Sequence, residues 1–285
     1  MNRLLLSAAH KSSGKTTLTL GLCAAWQSHG LAVQPFKKGP DYIDPMWLSR
    51  AAQRPCHNLD FYTMSRGEIL ATVARYGAGC DLALVEGNKG LYDGLDLDGS
   101  NSNAALAKLL KAPVVLVLDA RGMTRGIAPL ILGYQAFDPG VRIAGVILNQ
   151  LGGHRHEAKL RAVIEHYTDV AVLGAVHRDP ELAIAERHLG LIPENELDAA
   201  RAVIQRIGSR VASQVDLDRL VALARSAPPL PRSPAARPEA GPGEAASPVV
   251  RIGIARDAAF GFYYPGDLAA LETAGAELVP INTLE

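Results

Sequence analysis

Hydrophobic residues along the chain fall into short unbroken runs that alternate with longer stretches of helical periodicity. The runs predict strands at residues 4–8, 32–36, 82–86, 114–119, 143–149 and 170–176. Unbroken apolar strands are typical of a parallel sheet that is covered on both faces. The intervening stretches predict helices at residues 16–29, 66–76, 103–111, 126–137 and 154–166, and two more near residues 196–207 and 217–224. This alternation predicts the α/β class, with a mostly parallel sheet and helices on both of its faces.

A proline-rich segment divides the chain. Residues 226–248 hold seven of the 18 prolines, a composition that is typical of an extended linker. We therefore predict a first domain over residues 1–225, a linker over residues 226–248 and a second α/β unit over residues 249–285. In that second unit, residues 249–255 and 277–281 predict strands and residues 265–274 predict a helix. We expect this unit to be the first β-α-β of a second domain that the chain does not complete.

The composition is that of an ordinary soluble enzyme. Hydrophobic residues make up 48% and charged residues 20% of the 285 positions, which excludes a disordered chain. The 29 basic residues balance the 29 acidic residues, so the chain has no overall electrostatic field that would attract nucleic acid or anionic lipid. A local cationic cluster is compatible with this balance. No window approaches the roughly 20 apolar residues that a membrane span needs. We expect a cytoplasmic protein with no nucleic-acid or membrane partner.

The cysteines and histidines show no spacing that is typical of metal ligands. Cys23, Cys56 and Cys80 are odd in number, which indicates reduced thiols. His154 and His156 lie close together along the chain, while the other histidines are dispersed. The sequence therefore gives no reason to expect a structural metal.

The strongest motif follows the first predicted strand. Residues 9–17, AHKSSGKTT, lie between that strand and a predicted helix, which is the context of a phosphate-binding loop. In such a loop, backbone N–H groups and the helix N-terminus hold phosphates, the lysine reaches the outer phosphates and the next hydroxyl ligates Mg²⁺. One position departs from the G-x-x-x-x-G-K-[ST] pattern, because Ala9 replaces the first glycine. We expect ATP and Mg²⁺ to bind here, through Ser12, Ser13, Gly14, Lys15, Thr16 and Thr17.

Two further motifs follow predicted strands and therefore fall at the carboxyl edge of the sheet, where open α/β folds bind ligands. In DLALVEGNKGLYDG, Glu86 ends a strand and is placed to ligate Mg²⁺, which prefers oxygen ligands; a solvated carboxylate is the alternative. In FKKGPDYIDP, two lysines and two aspartates surround a Gly-Pro turn. Together they could bind an anionic substrate and a metal ion. Taken alone, such a segment is more often a solvated loop.

Together these motifs resemble those of the cobyrinic acid a,c-diamide synthase family. The segments GKTTLTLGL, FKKGPDYIDP, HNLD, VEGNKGLYDG, GVILNQ and IGIARDAAFGFYYP occur in the family's order and cover the whole chain. The resemblance implies a P-loop NTPase fold of the dethiobiotin synthetase type, followed by the start of a class I glutamine amidotransferase domain. It also implies that the chain ends before the glutaminase cysteine, so that Cys23, Cys56 and Cys80 do not supply this nucleophile.

The resemblance implies a carbon–nitrogen ligase that uses ATP, Mg²⁺ and glutamine in cobalamin biosynthesis. Its substrates would be the a and c acetate carboxylates of cobyrinic or hydrogenobyrinic acid. ATP would convert each carboxylate to an acyl phosphate, and ammonia, released from glutamine in the full-length enzyme, would displace the phosphate. A homodimer is compatible with the resemblance.

The resemblance also implies roles for individual residues. The implied catalytic residues are Lys15, Asp41, Tyr42, Glu86 and Asp93. The implied Mg²⁺ ligands are Thr16, Asp41 and Glu86, and the implied substrate contacts are Lys37, Lys38, Asp41 and Tyr42. Asn149 would contact adenine, or else cap a helix. Arg178 and Arg187 would join the lysines in a local cluster that attracts a tetrapyrrole with many carboxylates, and His57 and His188 could face it.

Two kinds of alternative stay open. Sister amidoligases that act on sirohydrochlorin, nickel-sirohydrochlorin or sirohaem share nearly all of these motifs, so the identity of the ring is undecided. The distant alternative is a ParA- or MinD-like ATPase switch. Such switches carry an extra lysine early in the loop, where this chain has His10 and then Lys11, and they lack FKKGPDYIDP.

Overall fold

A seven-stranded parallel sheet forms the centre of the protein. The computed structural model describes residues 1–182, 184, 186–187, 190–191, 200–231 and 250–285. Within these ranges the central strands are β1 (Arg3–Ala8), β2 (Val33–Lys38), β3 (His57–Leu59), β4 (Leu82–Glu86), β5 (Val114–Asp119), β6 (Ile143–Leu151) and β7 (Val172–His177). Their order across the sheet is β3-β2-β4-β1-β5-β6-β7, and all neighbours are parallel. The predicted sheet is confirmed.

Helices cover both faces of this sheet. They are α1 (Lys15–Ser28), α2 (Ile43–Ala52), α3 (Arg66–Tyr76), α4 (Asn103–Leu110), α5 (Ile127–Phe137), α6 (His154–Tyr167), α7 (Ala200–Ala212) and α8 (Leu217–Arg225). Successive side chains of a strand point to opposite faces, so Leu4 and Leu6 of β1 enter one core and Leu5 enters the other. The first core contains residues of α1, α2, α7 and α8, and the second contains residues of α3 to α6.

The segment after Phe36 differs most from the prediction. Strand β2 extends through Lys37 and Lys38, which are only 3% and 7% exposed, so the solvated-loop alternative is wrong for both residues. Their ammonium groups are buried because polar partners surround them, Glu86 in one case and Asn88 in the other. Helix α2 and strand β3 follow directly, and neither was predicted from the pattern.

Most other boundaries lie within two residues of their prediction. The exception is α7, which continues to Ala212 beyond the predicted end at residue 207, while its predicted start at residues 196–199 lies outside the described residues. A 3₁₀ turn (Pro180–Leu182) and a short hairpin of β8 (Glu186–Arg187) and β9 (Gly190–Leu191) were not predicted. No helix in the described ranges is long and apolar enough to cross a bilayer.

The C-terminal unit is a parallel β-α-β, as predicted. It consists of β10 (Val250–Ala255), α9 (Pro265–Thr273) and β11 (Ala276–Ile281). Of the predicted linker, residues 232–248 lie outside the described part of the chain. Its first residues contact the main body, since the Arg3 guanidinium donates to the Pro228 carbonyl at 2.6 Å and Leu230 packs against the second core. The division into domains stays a prediction.

Candidate active site

The predicted phosphate-binding loop connects β1 to α1. Gly14, the residue before α1, has φ +85°, a left-handed conformation that favours glycine. The Ser13 hydroxyl donates to the His10 carbonyl at 2.8 Å and so holds the loop closed. Gly14 offers no side chain to cap the first N–H groups of α1. These groups therefore face the carboxyl edge of the sheet as donors for an anion.

Asn149 holds the same loop from β6. Its Nδ2 donates to the Ser13 carbonyl at 2.8 Å, and the residue is 5% exposed. A Cβ at Gly14 would collide with this Nδ2 atom, so the close approach also requires glycine. The observed partner of Asn149 is thus the phosphate loop and not a helix end. The adenine contact stays a prediction.

A cluster of carboxylates lies beside the start of α1. The Thr16 hydroxyl donates to Glu86 Oε1 at 2.8 Å and to Asp44 Oδ2 at 3.1 Å. Lys37 Nζ donates to Glu86 Oε1 at 2.6 Å and also to Asp44 Oδ2, and it lies 3.8 Å from Asp41 Oδ2. The structure therefore brings together the predicted residues Thr16, Lys37, Asp41 and Glu86, and it adds Asp44.

Burial and a partner of opposite charge shift the pKa values of this cluster in opposite directions. Burial raises the pKa of Glu86, although the Lys37 ammonium opposes the shift. Burial also raises the pKa of Asp41, and the nearby Asp44 raises it further. For Lys37, burial lowers the pKa, but the attraction of Glu86, Asp44 and Asp41 outweighs it and the pKa rises overall. Three carboxyl groups surround one ammonium group, and a further cation bound beside them would favour their ionised forms.

The oxygen atoms of this cluster fit Mg²⁺. Glu86 Oε2 is buried and has no hydrogen-bond partner within the described structure, so it is available as a ligand. The Thr16 hydroxyl and the carboxylates of Asp41 and Asp44 supply further oxygens, which is the donor type that Mg²⁺ prefers. Asp44 was named in the motif but not among the predicted ligands. The first turn of α2 brings it to the cluster, and α2 was not predicted.

Lys15 and Asp93 complete the set of predicted catalytic residues near the loop. Burial lowers the pKa of Lys15, and the charges of Glu86 and Asp93 oppose this shift. Asp93 is exposed and accepts a hydrogen bond from the Gly90 backbone at 2.9 Å. A Cβ at Gly90 would lie 2.5 Å from the Ala9 carbonyl, so glycine lets the VEGNKGLYDG segment pack directly on the phosphate loop.

Asn103 is a structural residue of the site that the sequence did not indicate. It is fully buried at the start of α4, where its Nδ2 donates to the carbonyls of Asn88 and Gly90, the latter at 2.8 Å, and to the Ser7 hydroxyl at 3.2 Å. These bonds fix the loop after Glu86. An asparagine at the start of a helix resembles an ordinary cap, so no sequence signal distinguished it.

His57 is placed in the interior and not towards a ligand. Its ring stacks on Tyr76 with centroids 3.5 Å apart, and it is 5% exposed. Burial, helped by the charge of Arg75, lowers the pKa of His57 to about 4, so the imidazole is neutral at pH 7. The expectation that His57 faces a substrate finds no support in this placement, and His188 lies outside the described residues.

The structure assembles a histidine cluster that chain spacing did not reveal. His154, Glu157 and His177 place one ligand atom each within 4.8 Å of one another. However, His177 Nε2 already contacts Glu157 Oε2 at 2.8 Å and Arg161 donates to Glu157 Oε1 at 2.8 Å. Both carboxylate oxygens therefore already have partners and the Arg161 guanidinium forms an ion pair with Glu157, an arrangement that does not favour a metal ion.

The predicted cluster of substrate-binding cations does not form as one group. Arg178 and the histidine cluster line the same cavity of about 740 Å³, at the β7 end of the sheet. Lys37 and Lys38 lie in β2, on the other side of β1. Strands β4, β1, β5 and β6 separate these positions. The side chain of Arg187 lies outside the described part of the chain.

The fold and the site define a nucleotide-binding protein of the phosphate-loop class. Residues 2–186 match the family described as AAA domain, and the chain belongs to this family. Over 99% of its length the chain is 50% identical to a cobyrinate a,c-diamide synthase of Magnetococcus marinus and 46% identical to one of Methanosarcina acetivorans. Over 100% of its length it is 39% identical to one of Listeria monocytogenes. The resemblance to the a,c-diamide synthases is confirmed.

The chain spans 61%, 59% and 62% of the length of these three curated relatives, in the same order. Among solved structures, the cell division ATPase MinD of Pyrococcus horikoshii with Mg-ADP is 16% identical, with a TM-score of 0.44 over 78% of this chain and 94% of that chain. The receptor FtsY of Elizabethkingia anophelis is 14% identical, with a TM-score of 0.45 over 73% of this chain and 66% of that chain. Likeness at this level does not favour any function.

Proposed function

We propose that this chain is the ATP-binding part of an amidoligase that amidates the acetate carboxylates of a corrinoid. The observation that carries the proposal is the cluster of Thr16, Asp44 and Glu86 beside the phosphate loop, which offers oxygen ligands at the position where ATP would place its outer phosphates. The names of the curated relatives support the reaction and its substrate.

The first step would be phosphoryl transfer from ATP to the substrate. A carboxylate oxygen of the substrate forms a bond to the terminal phosphorus, the bond from that phosphorus to the bridging oxygen breaks, and ADP leaves. Lys15 and the N-terminus of α1 would stabilise the charge on the transferred group, which is the main task of a protein in this chemistry. The buried carboxylates would hold Mg²⁺, which neutralises phosphate charge when bound.

The second step would be attack by ammonia on the acyl phosphate. The new bond joins nitrogen to the acyl carbon, phosphate leaves, and the nitrogen loses a proton. Lys37 would keep the carboxylates of Asp44 and Glu86 in place during both steps. We also propose that ammonia comes from glutamine in the longer protein, through a glutaminase domain that begins with the C-terminal unit.

The identity of the macrocyclic substrate rests on the names of the relatives and not on the geometry of the site. Cobyrinic acid is favoured by the names of the relatives, with hydrogenobyrinic acid as the cobalt-free form. Sirohydrochlorin, nickel-sirohydrochlorin and sirohaem are the competing substrates. The a and c acetates would be the groups converted.

Incubation with ATP, Mg²⁺ and ammonia tests this proposal, with each macrocycle supplied separately and the product read by mass spectrometry. We expect up to two amidations of one corrinoid, each a loss of about one mass unit and each consuming one ATP. Glu86→Gln should abolish the product, whereas Glu165→Gln, at an exposed position of α6, should not. ATP binding without amidation of any macrocycle would reject the amidoligase and favour the ATPase switch.

A further inference from the structure

Aromatic rings of the C-terminal unit lie against the loop that carries Asp41. Tyr42 is the next residue and immediately precedes α2. Its ring stacks on Tyr264 with centroids 4.3 Å apart and on Phe262 with centroids 5.6 Å apart, at interplanar angles of 21° and 11°. Offset, nearly parallel rings attract each other beyond the effect of burial.

The connection between β10 and α9, which presents these two rings, is held in shape by its own hydrogen bonds. The Asp257 carboxylate accepts from the backbone N–H groups of Ala259 and Thr283, both at 2.7 Å. The Tyr263 hydroxyl donates to the Ala255 carbonyl at 2.6 Å, which ties the connection back to β10. The rings are therefore carried by ordered backbone.

The segment on the other side of the stack carries two of the candidate Mg²⁺ ligands, Asp41 before α2 and Asp44 in its first turn. The Asp44 backbone N–H donates to Asp41 Oδ1 at 3.0 Å, which links the two residues directly. Asn58 Nδ2 donates to the carbonyls of Gly39 and Asp41, each at 2.8 Å, and fixes the start of the loop from β3. Tyr42 lies between Asp41 and Asp44, which these hydrogen bonds hold in place. Its ring is the part of this segment that the C-terminal unit contacts.

We propose that Phe262 and Tyr264 are positioning residues of the carboxylate cluster. By fixing Tyr42 they hold Asp41 and Asp44 at the distances from Lys37 that the structure shows. The C-terminal unit thereby completes a site whose ligands all belong to the first part of the chain. Only the kinetic consequence of this inference rests on the proposed function, because the order of the loop can be measured without any reaction.

Hydrogen–deuterium exchange on the full 285-residue chain tests the inference directly. Phe262→Ala and Tyr264→Ala should each raise the exchange rate of the amides at residues 41–44 by roughly tenfold, because each removes a stacked pair. Tyr264→Phe keeps the ring and should restore most of the protection. Phe260→Ala is the matched control, since Phe260 and Phe262 are both 51% exposed and no ring contact of Phe260 is found among the described residues. Exchange within β4 reports whether the first part of the chain stays folded.

Ammonia-dependent kinetics give the second readout. Phe262→Ala and Tyr264→Ala should lower kcat by roughly tenfold while the KM for ATP stays within about twofold, because the phosphate loop is untouched. An unchanged exchange rate at residues 41–44 in both variants overturns the inference. An equal increase of this exchange rate in Phe260→Ala also overturns it. Increased exchange confined to the two variants, in a protein that amidates no macrocycle, upholds the inference and rejects the proposed function.

Discussion

Single residues show how the site tolerates so many buried charges. Glu86 is fully buried, a position that costs several kcal/mol for an isolated carboxylate, and the pKa of Glu86 is raised accordingly. Lys37 offsets part of this cost through ion pairs with Glu86 and Asp44. Removal of one partner would leave the other charge buried and unpaired, which is more costly than loss of the pair. The cluster is thus a set of mutually dependent charges.

His57 predicts a pH dependence of stability. Its pKa of about 4 in the folded protein lies below the roughly 6.5 of a free imidazole. Between these values the unfolded chain binds a proton that the folded protein does not bind, so the free energy of unfolding decreases as the pH falls from 6.5 to 4. We expect His57→Gln to remove roughly 2 kcal/mol of the decrease between pH 7 and pH 4.5, measured by urea denaturation.

The control for this prediction is His166→Gln, at an exposed position of α6. This variant should not reproduce the effect of His57→Gln, because the His166 side chain is exposed and is not packed in the interior. If His57→Gln and the parent protein lose the same stability over this pH range, the buried and neutral state of His57 is wrong.

Residues whose placement follows from local context could be predicted from the sequence. Lys15 and Thr16 were placed at the carboxyl edge because they follow a recognisable strand, and Glu86 because it ends one. The structure brings Thr16 and Glu86 into contact. Asn149 was expected to face a nucleotide or cap a helix, but its observed contact is with the Ser13 carbonyl across the sheet. Contacts between residues so distant along the chain leave no local pattern.

At the scale of elements, the position of α1 determines where Lys15 and Thr16 point. This helix is held by α7, and the two helices approach closely at glycines. A Cβ at Gly208 of α7 would lie 2.8 Å from the Ala24 Cβ of α1, closer than real Cβ contacts allow. A Cβ at Gly21 of α1 would overlap the Val211 side chain. The two small residues therefore set the distance between the helices.

Gly21→Ala should destabilise the protein by up to about 2 kcal/mol, because overpacking costs about 1–3 kcal/mol and the gain in helix propensity returns about 1 kcal/mol. Gly133→Ala in α5 is the matched control, since a Cβ there meets nothing within 4 Å. It should be neutral or stabilising. The midpoint of urea denaturation measures both variants. A shift of both midpoints in the same direction would contradict the observed packing of α1 on α7.

Elements were predictable where local signals agreed. Helix α3 was predicted at its observed bounds, and Ser65 and Glu68 form a capping box at its start. Strand β3 has three residues, too few to give a pattern of its own. The end of β2 was missed because Lys37 and Lys38 interrupt the apolar run, and their burial depends on partners from β4 and the loop after it.

The whole molecule explains why distant motifs meet. Strands β2, β4 and β1 are neighbours in the sheet, so the loops after them lie side by side at its carboxyl edge. Strands alone could be predicted from the hydrophobic pattern, but their order depends on pairing between distant segments. The contact of the C-terminal unit with Tyr42 has the same origin, and no motif indicated it.

Under the proposed function, Mg·ATP binds at the phosphate loop between β1 and α1. Isothermal titration calorimetry of Mg·ATP into the parent chain and into Lys15→Ala tests it most directly. Lys11→Ala, at an exposed position of the same loop, is the matched control, and circular dichroism checks that each variant is folded.

We expect the parent chain and Lys11→Ala to bind Mg·ATP alike, and Lys15→Ala to bind it roughly 10- to 100-fold more weakly, because a charge-assisted bond to phosphate contributes about 1.5–3 kcal/mol. A folded Lys15→Ala variant with the affinity of the parent chain would contradict the assignment of this loop as the nucleotide site.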